Sequence, residues 1–211
     1  MHDWATISSL ATAAGTLVLA VATFASVRSA NRAARVAERS FEVGLRPLLM
    51  PSRLEDPGEK IMWGDGHWAH LEGGRATVET GDQVIYLAMP LRNAGNGIAV
   101  LQGWLVHREM MLRADISPSP VDQFRRQSRD LYIPVGGVSF WQGALRNGDG
   151  DIYAQMLRSV ELRQAFAVEV LYSDHEGGQR VISRFNITPR ETDGWLCSVV
   201  RHWNLDRVNP R

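Results

Sequence analysis

The chain has 211 residues with 23 basic and 23 acidic side chains, so its formal net charge is zero and the composition argues against general binding of polyanions. The length suits one domain of ordinary size with an additional segment. The only cysteine, Cys197, excludes an internal disulfide and a zinc site built from several cysteines, and it favours a reducing compartment.

The N-terminal segment is uncharged from Trp4 to Val27. As a helix this run would be about 36 Å long, enough to cross a hydrocarbon core of roughly 30 Å with some tilt. A cleaved signal peptide is the alternative, because Ala20-Val21-Ala22 has small residues at cleavage spacing. The length of the run and the basic residues that follow it favour a transmembrane anchor over residues 1–27.

Charge predicts the orientation of this anchor. His2 and Asp3 carry the only titratable side chains before the run. Five arginines follow it: Arg28, Arg32, Arg35, Arg39 and Arg46. The positive-inside rule therefore predicts a bacterial inner (plasma) membrane protein with its N-terminus outside and residues 46–211 in the cytoplasm.

The anchor carries small residues at helical spacing. Ala11 and Gly15 form a small-xxx-small pair, a pattern that lets a second helix approach closely in lipid. The sequence thus predicts self-association or pairing with a partner helix, while an alanine-rich span without any partner is the alternative.

Residues 28–45 are predicted to continue as an amphipathic juxtamembrane helix. The first four arginines after the anchor, which follow one another at helical spacing, share one face of it. This stripe of Arg28, Arg32, Arg35 and Arg39 is an interaction candidate for anionic head groups or an acidic partner. A topology signal on a solvated helix face is the alternative.

Residues 46–211 are mostly strand-like after Arg46-Pro47, which ends the helix. Apolar, β-branched or aromatic runs separated by turn signals predict strands. These runs lie at 48–50, 61–63, 67–73, 83–91, 98–107, 131–134, 138–145, 166–172, 180–187 and 195–203. The predicted fold is mainly β, an antiparallel β-sandwich (Ig-like) or partial barrel with one or two short helices.

Two helices are expected within this soluble β-rich domain. A short one is predicted near 120–128, and a better one runs over 151–163 with Asp151 capping its first turn. The first would place Arg125, Arg126 and Arg129 on a solvated helix face. Nucleic-acid binding by these arginines is the alternative, and the balanced charge argues against it.

A metal site is the strongest catalytic alternative in the sequence. His67 and His70 lie near Asp65, and imidazoles with carboxylates are suitable ligands for zinc or iron. In a strand, however, side chains separated by an odd number point to opposite faces. We therefore expect loop and edge-strand histidines, with no metal and no cofactor. A membrane-tethered enzyme with Asp174 or His175 as acid–base partner is the alternative.

Two polar segments resemble sites but are predicted to be turns. Asp174-His175-Glu176 precedes two glycines between strands, which is typical of a hairpin tip. The segment at 147–151 begins like a calcium loop, but Ile152 and Arg158 stand where glycine and glutamate are needed. We expect a turn that leads into the capped helix.

The segment 93–97 is predicted to be a structural loop between two buried strands. Asparagine and glycine adopt positive φ at low cost, and asparagine side chains hydrogen-bond turn backbones. Asn93, Gly95, Asn96 and Gly97 therefore shape the loop, with Gly97 as the position for a left-handed residue. Six tryptophans in this domain are expected to fill the core, or to mark an interface where exposed.

Several segments together resemble a family. The N-terminal span, the Arg/Ala-rich helix ending in RPLLMPSRLEDP and the later YLAMPLRNAGNG, FWQGALR, DHEGGQRVISRF and RHWNLDR are similar to a family of uncharacterised single-pass membrane proteins common in actinobacteria. The resemblance covers nearly the whole chain. It implies a membrane anchor with a C-terminal sandwich-like domain, and it carries over no catalytic residue.

These observations together predict a non-catalytic, membrane-anchored protein. We expect a protein-interaction or accessory subunit of a membrane complex, related to transport or the envelope, with the lipid bilayer and another protein as partners. No nucleic-acid partner and no cofactor are expected.

Overall fold

The computed structural model describes residues 3–109, 117–191 and 194–206, with the side chains of residues 5–6 and 39–43 outside this description. The chain divides into two compact units, Met1–Gly44 and Leu45–Arg211. The first unit is one α-helix, α1 (Asp3–Gly44), of 42 residues. It continues without a break from the predicted anchor into the predicted juxtamembrane helix.

Helix α1 is long and apolar enough to cross a membrane over Ile7–Glu38, and it is the one such helix in the described residues. Large apolar side chains along it are exposed, including Leu17, Leu19 and Phe24. The described part of the chain thus supports the predicted anchor by length and composition.

The second unit consists of eleven described strands and one α-helix. The strands are β1 (Leu49–Pro51), β2 (Glu59–Met62), β3 (Trp68–Leu71), β4 (Arg75–Gly81), β5 (Val84–Asn93), β6 (Ala99–His107), β7 (Arg125–Ile133), β8 (Val138–Arg146), β9 (Phe166–Ser173), β10 (Val181–Pro189) and β11 (Trp195–Asn204). Helix α2 (Asp151–Glu161) follows β8 after a short 3₁₀ turn.

Nine of these strands form one antiparallel sheet that curls into a half-barrel, which confirms the predicted fold class. Strand β5 pairs with β8 along one edge. Along its other edge, the first half of β5 pairs with β4 and its end pairs with β1. The sheet continues through β11, β10, β9 and β6 to β7, while β2 and β3 form a separate hairpin. Strands β7 and β8 are therefore the two ends of the curled sheet.

The core lies inside the curl. Apolar residues alternate along the strands, and Trp141, Phe166 and Phe185 are almost fully buried there. Helix α2 contributes Tyr153 and Met156 to the same cluster. Each such side chain contributes roughly 1.5–3 kcal/mol on burial, so this cluster stabilises the curl.

The helix predicted near 120–128 is wrong. Val121–Gln123 forms a 3₁₀ turn, and Arg125 begins strand β7, which pairs with β6. The segment alternates half-buried and exposed residues from Arg125 to Ser128, as a strand does. An edge strand tolerates polar residues on its exposed side, so its hydrophobic signal was too weak to distinguish it from a helix.

The prediction that Asp151 caps α2 is also wrong. The N-cap is Gly150, with φ 73° and ψ −141°, a conformation that favours glycine. Asp151 is instead the first residue of the helix, where its negative charge interacts favourably with the positive end of the helix dipole.

Candidate functional site

The small-residue face of α1 is open. No atom lies within 4 Å of the position that a Cβ at Gly15 would occupy, and Ala11 lies one turn away on the same face. The hydroxyls of Thr12 and Thr16 donate to backbone carbonyls four residues earlier at 2.8 Å. These hydroxyls are thus satisfied within the helix, which suits burial in lipid and leaves packing as the means of pairing.

The arginine stripe continues along the exposed helix. Arg28, Arg32 and Arg35 are exposed at spacings of four and three, so they share one face. The fourth member, Arg39, has a side chain outside the described residues.

Asp65 and His67 lie close together and are held by neighbouring side chains. His67 Nε2 lies 2.7 Å from Glu79 Oε2, and the His67 ring stacks on Tyr86 with centroids 3.9 Å apart. The Tyr86 hydroxyl donates to Asp65 at 2.9 Å, and Arg146 donates to the same carboxylate at 2.7 Å. The guanidinium of Arg146, aided by the hydroxyl of Tyr86, lowers the pKa of Asp65 to about 2.

His70 does not join this group. It lies on the exposed face of the β2–β3 hairpin and lines a separate depression with Glu72 and Arg75. No set of three histidine, cysteine or acidic side chains suited to a metal ion occurs in the described parts of the chain. The structure therefore brings Asp65 and His67 together without His70.

A buried ion pair lies on the outer side of the curled sheet. Arg184 Nη2 donates to Glu169 Oε1 at 2.5 Å, and both side chains are almost fully buried. The other carboxylate oxygen accepts from the Ser119 backbone at 3.2 Å and lies 3.4 Å from His107 Nε2. Burial alone would raise the pKa of Glu169, but hydrogen bonds from His107, Ser119 and Arg184 lower it to about 2.

A serine and a histidine meet inside the domain, but not as a nucleophile and base. Ser183 Oγ lies 2.6 Å from His202 Nδ1 and 2.8 Å from the Tyr172 hydroxyl, which accepts from the Leu49 backbone at 3.1 Å. Ser183 and Tyr172 are fully buried, so substrate has no access to this serine. The chain of hydrogen bonds ties β1 to β9, β10 and β11. Burial lowers the pKa of His202 to about 4 and raises that of Tyr172 to about 12.

Asn93 organises the predicted loop. Its Nδ2 donates to the carbonyls of Gly97 at 2.6 Å and Ile133 at 3.0 Å, and its Oδ1 accepts from the backbone of Gly95 and Leu48. All four hydrogen-bonding positions of this buried amide are thus used. Asn93 holds the loop, β1 and the end of β7 in one arrangement, as a structural residue.

The expected reason for glycine at position 97 is wrong. The residues with positive φ in the described chain do not include Gly95 or Gly97. A Cβ at Gly97 would instead overlap the carbonyl oxygen of Leu45, and one at Gly95 would overlap the backbone of Arg46. Glycine is required at both positions because the segment after α1 passes directly against them.

Both polar segments predicted as turns are turns. Asp174 accepts backbone hydrogen bonds from Glu176 at 3.1 Å and Gly178 at 2.9 Å, and Gly177 has φ 83°. In the other segment Asp149 accepts from the Arg146 backbone at 2.7 Å. Trp68 is the tryptophan of the soluble domain that is exposed, at 52%, next to Lys60.

A groove lies between the two ends of the curled sheet, which we call the β7–β8 groove. Its volume is about 380 Å³, and no acidic residue is among the described residues that line it. They are Trp63, Gly64, Trp104, Arg125, Arg126, Ser128, Gln142, Gly143, Ala144 and Arg146.

The floor of this groove is built on Gly143. A Cβ there would come within 3.1 Å of the Trp104 ring, and Trp63 Nε1 donates to the Gly143 carbonyl at 3.0 Å. The same Cβ would come within 2.8 Å of the Trp141 ring, so the absence of a side chain lets the indoles of Trp104 and Trp141 pack together there, with ring centroids 5.5 Å apart. Nothing in the sequence indicated this site, because its residues come from four segments far apart in the chain.

Comparison with known proteins adds no functional information. No family model matches this chain, and no curated protein matches it. It is similar to a crystal structure of a protein from Archaeoglobus fulgidus at 9% identity and a TM-score of 0.26, over 65% of this chain and 99% of that one.

Proposed function

We propose that this chain is a non-catalytic bacterial membrane protein whose β-rich domain binds another protein as an accessory subunit of a membrane complex. The main support for the proposal is that the apolar side chains of α1 are exposed along Ile7–Glu38. Apolar surface of this extent is unfavourable in water, so a bilayer covers it. A protein bound in this way is held at the membrane surface together with its potential partners.

Two surfaces of the chain support the interaction part of the proposal. In the helix, Ala11 and Gly15 form an open face suited to a second helix. In the domain, the exposed side chains of Trp68 and Met62 lie opposite each other on β3 and β2. Exposed tryptophan and methionine are enriched in protein interfaces relative to other surface.

The proposal that the chain is non-catalytic is supported by the contacts of its reactive side chains. Ser183 is buried beside His202, Glu169 is paired with Arg184, and Asp65 is held by Arg146. Each group has partners within the domain that fix its geometry and its charge. Catalytic groups need access to a substrate as well as a perturbed pKa, and these are occupied in structural roles.

The arginine-rich side of α1 supports a cytoplasmic position for the domain, in the plasma membrane. The resemblance to actinobacterial single-pass proteins stays a prediction that agrees with this proposal. The arginines Arg28, Arg32 and Arg35 also suit contact with anionic head groups at that surface.

The test is native extraction of the full-length tagged chain from its own host in mild detergent. We expect the chain to elute as a complex with a second protein in a fixed ratio, and the complex to dissociate in denaturing detergent. A chain that elutes alone as a monomer after mild extraction would contradict the proposal.

A further inference from the structure

We propose that the arginine stripe of α1 binds anionic phospholipid head groups and thereby sets the direction in which the helix tilts in the bilayer. The inference rests on the membrane anchor of the proposed function, and it adds the class of lipid and the side of the helix that faces it. Three features of the helix support it: the arc that the arginines occupy, the direction of their side chains and the length of the apolar run.

The arginines occupy a narrow arc of the helix. Since successive residues are rotated by about 100°, Arg28, Arg32, Arg35 and Arg39 lie within about 60° around the axis of α1. The positive-inside rule counts basic residues near a span and does not depend on the face that carries them. Topology therefore accounts for the number of arginines after the apolar run, whereas their common face requires a one-sided contact.

The direction of the side chains favours the bilayer as that contact. In an α-helix each Cα–Cβ bond is tilted toward the N-terminus, so a side chain covers the surface of the turn before its own residue. The apolar run of residues 4–27 lies on the N-terminal side of the stripe. Arg28, Arg32 and Arg35 therefore lean back toward the run, and this favours head groups at the edge of the bilayer over an acidic protein surface farther from it.

The length of the apolar run leaves room for a tilt. The run is about 36 Å long as a helix and the hydrocarbon core is roughly 30 Å thick, so a tilt of about 30° keeps the whole run in the core. On the lower side of a tilted helix about 12 Å wide, side chains lie about 6 Å closer to the head groups than on the upper side. The head-group layer is only about 5–8 Å thick, so the direction of the tilt decides whether Arg35, about 12 Å along the helix from Val27, reaches it.

Anionic phospholipids supply the matching charge. The side chains of Arg28, Arg32 and Arg35 are exposed, and no ion pair within the described residues includes them. Guanidinium groups bind phosphate oxygens in pairs, and an anionic membrane surface attracts each basic residue close to it. A zwitterionic head group also carries a phosphate, but its positive group offsets this attraction.

The lipid contact is compatible with helix pairing. Ala11 and Gly15, the open face assigned to a second helix, lie about 110° around the axis from the centre of the arginine stripe. Head groups bound to the stripe leave that face open. The two contacts therefore do not compete for the same side of α1.

The test compares two adjacent positions of the full-length chain in nanodiscs. Val36→Cys and Ala37→Cys each carry a fluorescent label, about 70° and about 170° from the centre of the stripe, while Cys197 is buried and stays unlabelled. A lipid with a nitroxide on its head group quenches the label according to distance. In equal parts of phosphatidylcholine and phosphatidylglycerol, we expect quenching at position 36 to exceed that at position 37 by at least about twofold. In phosphatidylcholine alone the ratio should approach one.

A variant of unchanged charge separates the position of the arginines from their number. Its arginines are moved to the opposite side of α1 by six changes: Arg28→Ala, Arg32→Ala, Arg35→Ala, Ala30→Arg, Ala33→Arg and Ala34→Arg. We expect the tilt to reverse, so that quenching at position 37 exceeds that at position 36 by at least about twofold. A second variant with glutamine at positions 28, 32 and 35 should bring the ratio in phosphatidylglycerol close to one.

Several results would overturn the inference. It fails if the two positions are quenched equally in phosphatidylglycerol, if the ratio is the same in phosphatidylcholine, or if moving the arginines leaves the ratio unchanged. It also fails if the glutamine variant loses its protein partner on native extraction while the ratio does not depend on lipid, since the stripe then binds an acidic protein. A chain that does not insert into nanodiscs contradicts the membrane anchor itself, whereas an inserted chain with equal quenching leaves the proposed function standing.

Discussion

At the scale of single residues, close backbone approach explains the glycines of the 93–97 loop. A methyl group at Gly97 would overlap the Leu45 carbonyl, and the loop cannot move away because Asn93 holds it with four hydrogen bonds. We expect Gly97→Val to destabilise the domain by about 3 kcal/mol or more, as overpacking in a rigid site does. Denaturant unfolding of the full chain in detergent measures this.

Two controls belong to this prediction. Gly148→Ala introduces a methyl group where no atom lies within 4 Å, and Asn96→Asp changes an exposed side chain. Both should alter the free energy of unfolding by less than about 0.5 kcal/mol. Equal destabilisation by Gly148→Ala and Gly97→Val would contradict the steric explanation.

The buried Glu169–Arg184 pair makes a second prediction. Glu169→Gln keeps the shape but leaves the Arg184 charge buried without its counter-charge, so the free energy of unfolding should fall by about 3–5 kcal/mol. Thermal or denaturant unfolding at neutral pH measures this loss. The double variant Glu169→Leu with Arg184→Met should recover most of it, because no uncompensated charge remains. A double variant that is less stable than Glu169→Gln would show that the pair itself stabilises the fold.

His202 gives the domain a predictable response to acid. Its pKa falls from the ordinary 6.5 to about 4 in the folded state, so between these values the unfolded chain binds a proton that the folded chain does not. Stability contributed by neutral His202 is therefore complete above pH 6.5 and is lost as the pH falls toward 4, by up to about 3 kcal/mol.

The variant His202→Asn tests this response. Asparagine retains a polar group near Ser183 but does not titrate. Its free energy of unfolding, measured from pH 7 to pH 4, should depend less steeply on pH than that of the wild type. If the free energy of unfolding depends equally steeply on pH in the two proteins, His202 is not the source of the pH dependence.

At the scale of elements, strands with strong apolar runs were predictable and strands rich in polar residues were not. The runs of β5 and β9 are buried on nearly every residue, so their hydrophobic pattern was clear. Strand β4 was not predicted, since its arginine, threonines and glutamate lie half-buried or exposed. The first part of β7, residues 125–128, was predicted as a helix and its end, from Leu131, as a strand, because nearly all residues of the first part remain accessible.

The β7–β8 groove lay beyond sequence reasoning for a related reason. Trp104, Arg126 and Gln142 acquire a common surface only when β6, β7 and β8 are placed by the curl of the sheet. No local spacing records that arrangement. By contrast, the turn at Asp174 and the Asn93–Gly95 hydrogen bond depend on neighbours in sequence, and the structural roles of both segments were predicted, whereas the bonds from Asn93 to Ile133 and Leu48 were not.

Helix α1 makes a prediction about its small-residue face. Ala11→Leu and Gly15→Leu should each reduce association of the full chain in membranes, because a larger side chain prevents close approach of a second helix. Ala13→Leu is the matched control, since two residues place it on the opposite side of the helix. Cross-linking in intact membranes measures the associated fraction. An equal reduction in Ala13→Leu would point to a general effect of bulk.

At the scale of the whole molecule, the chain combines two units that differ in where their apolar side chains lie. Helix α1 is long and apolar enough to span a bilayer, whereas residues 45–211 have their own core of tryptophan, phenylalanine and aliphatic residues. Under the proposed function, the compartment of the domain depends on the direction in which α1 would cross the membrane.

That direction is the last prediction. The arginines that follow the apolar run outnumber the charges before it, so the domain should lie in the cytoplasm. A cytoplasmic reporter fused after Arg211 should be active, and a reporter that requires export should be inactive. The opposite pattern would reverse the compartment assigned to the domain.

A charge-reversal variant separates this effect from the apolar run itself. Replacing Arg28, Arg32, Arg35 and Arg39 together by glutamate removes the basic cluster without changing the length or hydropathy of residues 4–27. The cytoplasmic reporter should then lose activity in part of the population, because acidic residues contribute little to orientation and the basic bias is gone. The matched comparison is between the double variant Arg28→Glu with Arg32→Glu and its control, Arg53→Glu with Arg75→Glu, which carries the same charge change farther from the helix, outside the range over which basic residues act most strongly. The control should keep the wild-type reporter pattern, and an equal shift in both variants would mean that total charge, not its distance from the helix, sets the orientation.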